Sequence, residues 1–183
     1  MALVATLAAP TPAIAQGVEY KVVATNKTST MQKEMTEAAE AGYRFVGVMG
    51  GETSFGGNEV VTLMQKTSGG PARFSYKLLA TSKTSTMQKE LQEAGEAGFE
   101  YVGQTVFESL FGGREVAVIL ERDKDAMDAG KYDYKLIATS KTSTLQKELA
   151  ELGSAGYQAL GMTVAETAMG GAELVVITRR VVK

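Results

Sequence analysis

The octamer KTSTMQKE occupies Lys27–Glu34 and recurs letter for letter at Lys83–Glu90. It returns as KTSTLQKE at Lys141–Glu148. Extending the match outward gives three gap-free segments of 48 residues: Glu19–Lys66, Ser75–Arg122 and Asp133–Arg180. The second and third are identical at 28 positions, so the chain is a triplication, and self-similarity at a fixed period implies repeated structural units. The repeats lie within 17–66, 75–122 and 133–180. They are joined by TSGGPARF (Thr67–Phe74) and DKDAMDAGKY (Asp123–Tyr132), whose Gly, Pro and alternating charges mark exposed connections.

Each repeat reads the same way. YKVVAT, YKLLAT or YKLIAT alternates as a short strand, with Tyr20, Val22 and Ala24 facing one way and Lys21, Val23 and Thr25 the other. A helix follows over Thr30–Ala41, Thr86–Ala97 and Thr144–Ala155. Its apolar stripe is Met31, Met35, Ala38 and Ala39 in the first copy and Leu145, Leu149 and Leu152 in the third. Gln32, Lys33, Glu37 and Glu40 lie away from that stripe. Gly42, Gly98 and Gly156 end the helices, where a left-handed residue is cheap only as glycine. YRFVGVMG, FEYVGQTVFE and YQALGMTVAE read as a second strand. Paired-Gly turns (SFGGN, SLFGGR, TAMGGA) lead into a third strand, EVVTLMQK, EVAVILER or ELVVITRR. The glycines inside strand two, Gly47, Gly103 and Gly161, mark a bulge or close packing between units.

The unit is therefore β-α-β-β, with a right-handed parallel crossover and an antiparallel hairpin partner. Both faces of the third strand are apolar: Val60, Thr62 and Met64 on one, Val61 and Leu63 on the other. One helix covers one face, and a unit this small is marginal alone, so the free faces should pack on one another. The expected fold class is α+β, three tandem β-α-β-β repeats packed as one pseudo-threefold body or a short array. Strand edges at the ends of such an array would serve assembly by edge pairing.

The segments EYKVVAT, LQEAGEAGFEYVGQTV and EVAVILER resemble the small bacterial domain-of-unknown-function family number 4177. The shared pattern is a YKV strand, an amphipathic helix ending in Gly-aromatic, a strand and a closing apolar strand, and it covers each repeat. That family usually carries Trp after the helix-ending Gly, where this chain has Tyr43, Phe99 and Tyr157, and it does not supply the KTST octamer. The resemblance implies a compact β-α-β-β fold and no established activity.

Composition narrows the chemistry. The formal net charge of -2 gives no general grip on nucleic acid. With no Cys, His or Trp there are no disulfides, no thiol or imidazole chemistry and no Cys/His metal site. The nearest acidic run, DKDAMD at Asp123–Asp128, lacks the mid-loop Gly and closing Glu of a calcium loop. No cofactor or metal is expected. The first 16 residues, MALVATLAAPTPAIAQ, read as a signal-peptide remnant ending in a small-x-small cleavage pattern, too short to span a bilayer. Export to a bacterial periplasm or the extracellular space, with no membrane span in the mature chain, is the expectation.

Everything in the octamer is consistent with starting a helix. Ser29 and Gln32 have the spacing of a capping box, and Lys33/Glu37, Lys89/Glu93 and Lys147/Glu151 are i, i+4 pairs. A ligand-binding alternative uses the same residues. Lys27, Ser29 and Thr30, Lys83, Ser85 and Thr86, and Lys141, Ser143 and Thr144 would hold a small anion or glycan on helix amides beside the Gly-Gly hairpins. In that arrangement Lys27, Lys83 and Lys141 lie near Glu52, Glu108 and Glu166. The hairpin carboxylates Glu52/Glu59, Glu108/Glu115 and Glu166/Glu173 suit solubilising edges better than a catalytic pair. A Ser29 or Ser85 nucleophile would need Lys as its base. The sequence thus reads as a non-enzymatic structural or interaction protein whose partner is itself or a cell-envelope protein.

Overall fold

The computed structural model describes residues 17–53, 57–67, 70, 72–81, 83–108, 114–126, 130–166 and 171–182. One β-α-β-β pattern is laid down three times. The first module contains β1 (Val18–Thr25), α1 (Thr28–Glu40), β2 (Arg44–Thr53) and β3 (Gly57–Thr67). The second contains β4 (Phe74–Thr81), α2 (Thr84–Glu96), β5 (Glu100–Glu108) and β6 (Arg114–Asp123). The third contains β7 (Lys131–Thr139), α3 (Thr142–Ser154), β8 (Gln158–Glu166) and β9 (Ala172–Val182). The hairpin tips and the first 16 residues, including the signal reading, lie outside the described residues.

The sheets are separate, with orders β1-β3-β2, β4-β6-β5 and β7-β9-β8. The third strand of each module is central and antiparallel to both neighbours. The two strands flanking the helix therefore run parallel but do not touch, because the hairpin strand inserts between them. A central strand buried on both faces is what the double apolar pattern of Val60–Met64 demands. Strand two bulges at the same place each time, between Phe45 and Gly47, Tyr101 and Gly103, and Ala159 and Gly161.

Each helix starts two residues earlier than its sequence suggests, with Lys27, Lys83 or Lys141 as the extended cap residue. No side chain caps these helices, so the Ser-x-x-Gln capping box does not form. The hydroxyl of the strand-ending threonine instead accepts the cap residue's amide: Thr25 from Lys27 at 3.1 Å, Thr81 from Lys83 at 3.0 Å and Thr139 from Lys141 at 3.3 Å. The other ends follow expectation. Gly42, Gly98 and Gly156 have φ of 89°, 78° and 84°. The aromatic after each donates back into the helix, Tyr43 to the Ala38 carbonyl, Phe99 to Ala94 and Tyr157 to Leu152.

The modules form a short array in which each sheet has a front and a back. The front of the first sheet (Val60, Met64) takes its own helix through Met31, Met35, Ala38 and Ala39. The same cluster includes Tyr76, Ala117 and Ile119 from the back of the second sheet. The front of the second sheet (Leu79, Val116, Val118, Leu120) packs with Met87, Leu91 and Ala94, and with Tyr134, Val175 and Ile177 from the back of the third. The front of the third sheet closes on Leu145 alone among fully buried helix residues, with Leu149 and Leu152 half-buried. Among the described residues nothing further packs on that face.

Candidate functional site

The junctions between modules are where the octamers do something specific. Gln32 reaches across from α1 to β4. Its Nε2 donates to the Tyr76 carbonyl at 2.9 Å, and its Oε1 accepts the Leu78 amide at 2.5 Å. Gln88 repeats this on β7, with Nε2 to the Tyr134 carbonyl at 2.9 Å and Oε1 from the Leu136 amide at 2.7 Å. β4 and β7 are edge strands of their sheets. The glutamine amide thus takes the place of one peptide group of a missing neighbour strand and closes an edge that would otherwise be open. The capping-box spacing concealed a long-range clamp.

A tyrosine locks each junction beside the clamp. Tyr76 is buried; its hydroxyl accepts the Phe45 amide at 2.8 Å and donates to Glu121 Oε2 at 2.6 Å. Burial, together with the Glu121 hydrogen bond, pushes this phenol's pKa upward. Tyr134 accepts the Tyr101 amide at 2.7 Å and donates to the Phe99 carbonyl at 3.0 Å. Burial raises Tyr134 to about 12 and Tyr101 to about 12.

An ion pair bridges each junction, with opposite polarity. At the first, Arg44 forks onto Glu121 through Nε and Nη2, the shortest contact being 2.9 Å. At the second, Arg179 Nη1 meets Glu100 Oε1 at 2.7 Å. Arg44 and Glu100 are equivalent positions, as are Glu121 and Arg179, so donor and acceptor have exchanged sides. Each arginine also lies over an aromatic ring, Arg44 over Phe74 at 4.3 Å and Arg179 over Tyr132 at 4.5 Å.

Four glycines permit the close fit. A Cβ on Gly50 would stand 2.2 Å from the Val106 carbonyl oxygen. A Cβ on Gly95 would stand 2.2 Å from the Tyr132 carbonyl oxygen and 2.8 Å from the Tyr134 ring. One on Gly103 would stand 2.9 Å from the Phe45 ring, and one on Gly161 2.1 Å from the Tyr101 hydroxyl. Gly103 and Gly161 therefore serve both the bulge and the packing.

The residues proposed for ligand binding are distributed one set per module. Lys27, Ser29, Lys83, Ser85, Thr86, Lys141 and Ser143 are exposed, and Thr30 and Thr144 are half-buried. Ser29 lines an open groove with Thr28, Gln32, Leu78, Ala80 and Glu90, whereas Ser85 lines another with Lys89, Lys135, Asp133 and Glu93. Each groove belongs to one junction and mixes acidic with neutral or basic groups. A small apolar cleft at Lys83, Thr84 and Met87 encloses about 10 Å³, room for at most one water. The side chains of Glu52, Glu108 and Glu166 lie outside the described residues. Asp123 pairs with Arg73, which holds its carboxyl below the usual range. Lys33–Glu37, Lys89–Glu93 and Lys147–Glu151 form at 3.8, 3.8 and 3.9 Å, fully solvated and of little energetic weight. Among the described residues no helix is long and apolar enough to cross a membrane.

Sequence reasoning missed the junction residues because each is unremarkable within its own module. Only comparison of equivalent positions, once the pairing is known, makes Arg44/Glu121 and Glu100/Arg179 visible. Comparison with protein-family models, with curated proteins and with solved structures finds no match for this chain.

Proposed function

We propose that this chain is an exported, non-enzymatic structural protein that works by associating with itself. The observation that carries this reading is the fate of one repeated tyrosine: Tyr76 is 6% exposed and Tyr134 0%, but Tyr20 is 62% exposed. The pattern extends beyond it. Among the described residues every exposed large hydrophobic belongs to an end module: Val18, Tyr20, Val22, Val46 and Met49 in the first, Met162, Val164, Val181 and Val182 in the third. The described residues of the middle module include none. Terminal repeats of a solitary array normally turn a polar face outward, because nothing further covers them. Here the ends keep interior chemistry. Each such side chain gains roughly 1.5–3 kcal/mol on full burial, which favours association once rotational and translational entropy is overcome.

Sedimentation velocity across a concentration series tests this. The expected result is a mass that rises with concentration to multiples of the 19.4 kDa chain. A single monomeric species throughout would sink the proposal.

A further inference from the structure

The two internal junctions share the glutamine clamp, the tyrosine lock and an ion pair, and differ at one helix position, Ala39 in the first and Gly95 in the second. The two ends of the molecule hold the unmatched halves of a third, of the Gly95 kind. On the trailing side, Gln146 is the equivalent of Gln32 and Gln88; it is exposed, and among the described residues no strand is clamped by it. Gly153 is the equivalent of Gly95, yet nothing lies within 4 Å of a Cβ placed there. A glycine in an exposed helix is a cost with no local return, unless another backbone comes close. On the leading side, Tyr20 and Val22 are the equivalents of Tyr76 and Leu78, and both are exposed. Gly47 is the equivalent of Gly103 and Gly161, and it too has nothing within 4 Å.

The ion-pair position completes the set. Where the first junction has Arg44 with Glu121 and the second Glu100 with Arg179, the free ends carry Gln158 and Gln65. Two amides can hydrogen-bond to each other, and neither end brings an unpaired charge into a closed contact.

Resting on the reading of self-association above, we infer that the trailing face of one copy docks on the leading face of the next by the same geometry that joins the modules within a chain. Gln146 clamps the Tyr20 carbonyl and the Val22 amide of the neighbour, Gly153 admits that strand's backbone, and Gln158 meets Gln65. The contact uses different surfaces on the two partners, so it propagates head to tail into a ring or a filament. Continuity with two junctions already present in the chain identifies a second copy, rather than a foreign protein, as the occupant.

Two disruptive variants and one restoring variant test the contact. Gly153→Gln lies clear of the internal junctions, whereas Gln65 and Gln158 stand cross-strand from Arg44 and Arg179, so the melting temperature of each double variant is read beside its association. Gly153→Gln fills the open position and improves the helix, so its melting temperature should match or exceed that of the parent while self-association weakens about tenfold or more. The double variant Gln65→Arg/Gln158→Arg sets like charges face to face and should also weaken association about tenfold or more. Gln65→Glu/Gln158→Arg copies the first junction's pair and should restore it. Oligomers that persist unchanged in Gly153→Gln and Gln65→Arg/Gln158→Arg would overturn this contact while leaving self-association through another surface intact. A full chain that is monomeric at every concentration, with residues 1–16 or a foreign protein on the leading face, would overturn both.

Discussion

Gln32 and Tyr76, in different modules, are joined by a side-chain amide that bonds the open edge of β4 at two points, the Tyr76 carbonyl and the Leu78 amide two residues on. Removing that amide leaves a half-buried donor and acceptor unpaired. Gln32→Ala and Gln88→Ala should each cost about 1–3 kcal/mol of stability. Gln146→Ala, at the exposed equivalent, should stay within about 0.5 kcal/mol of the parent in dilute monomer. Urea unfolding of the three variants distinguishes a clamp from a surface glutamine. Equal effects at all three positions would refute the clamp.

Gly95 and Gly153 provide a second contrast from one module position. Gly95→Ala places a methyl 2.2 Å from the Tyr132 carbonyl, a backbone atom that cannot step aside. It should destabilise by about 1–3 kcal/mol despite alanine's better helix propensity. Gly153→Ala meets nothing within 4 Å and should stabilise the dilute monomer by about 0.8–1 kcal/mol. Thermal unfolding below the association range reads both, and the predicted signs are opposite.

The reversed ion pairs give a third. Glu121 is nearly buried, its side chain 8% exposed, while Arg44 is 58% exposed. Arg44→Glu therefore leaves two carboxylates together on the buried side and should cost roughly 2–3 kcal/mol. Arg44→Glu/Glu121→Arg recreates the polarity of the second junction and should recover much of the loss. A double-mutant cycle measures the coupling; additive losses would mean that the pair does not act as a pair.

The sequence was most informative where structure is local. Triplication, element order, the left-handed Gly42, Gly98 and Gly156, the Met31–Ala39 stripe and the strand-two bulges all follow from periodicity and backbone sterics. The clamp did not, because Ser29 and Gln32 have the spacing of a capping box and the competing partner lies 44 residues away from Gln32. Strand order was equally hidden: a hairpin strand can add outside or insert between the parallel pair. The clue was the apolar character of both faces of Val60–Met64, which suits a central strand. At β4 and β7 the open edge is met within the chain by a glutamine side chain and not by a neighbouring ladder.

Tyr134 makes the second junction sensitive to alkali. Burial raises its phenol to about 12, against about 10 in an unfolded chain. Below pH 10 both states hold the proton and the full stabilisation is present. Between about 10 and 12 the unfolded chain releases it while the folded chain retains it, so stability falls as pH rises, by up to about 1.4 kcal/mol per pH unit from this group. Tyr134→Phe should reduce the slope of that alkaline limb, to which Tyr101 and Tyr76 also contribute. It should also cost about 1–3 kcal/mol at neutral pH, because the Tyr101 amide and the Phe99 carbonyl lose their partner. Tyr20→Phe, at the exposed counterpart, should leave neutral-pH stability within about 0.5 kcal/mol. Urea midpoints from neutral pH to pH 12 for the three proteins supply the comparison. An alkaline limb unchanged in Tyr134→Phe would assign the sensitivity to other groups.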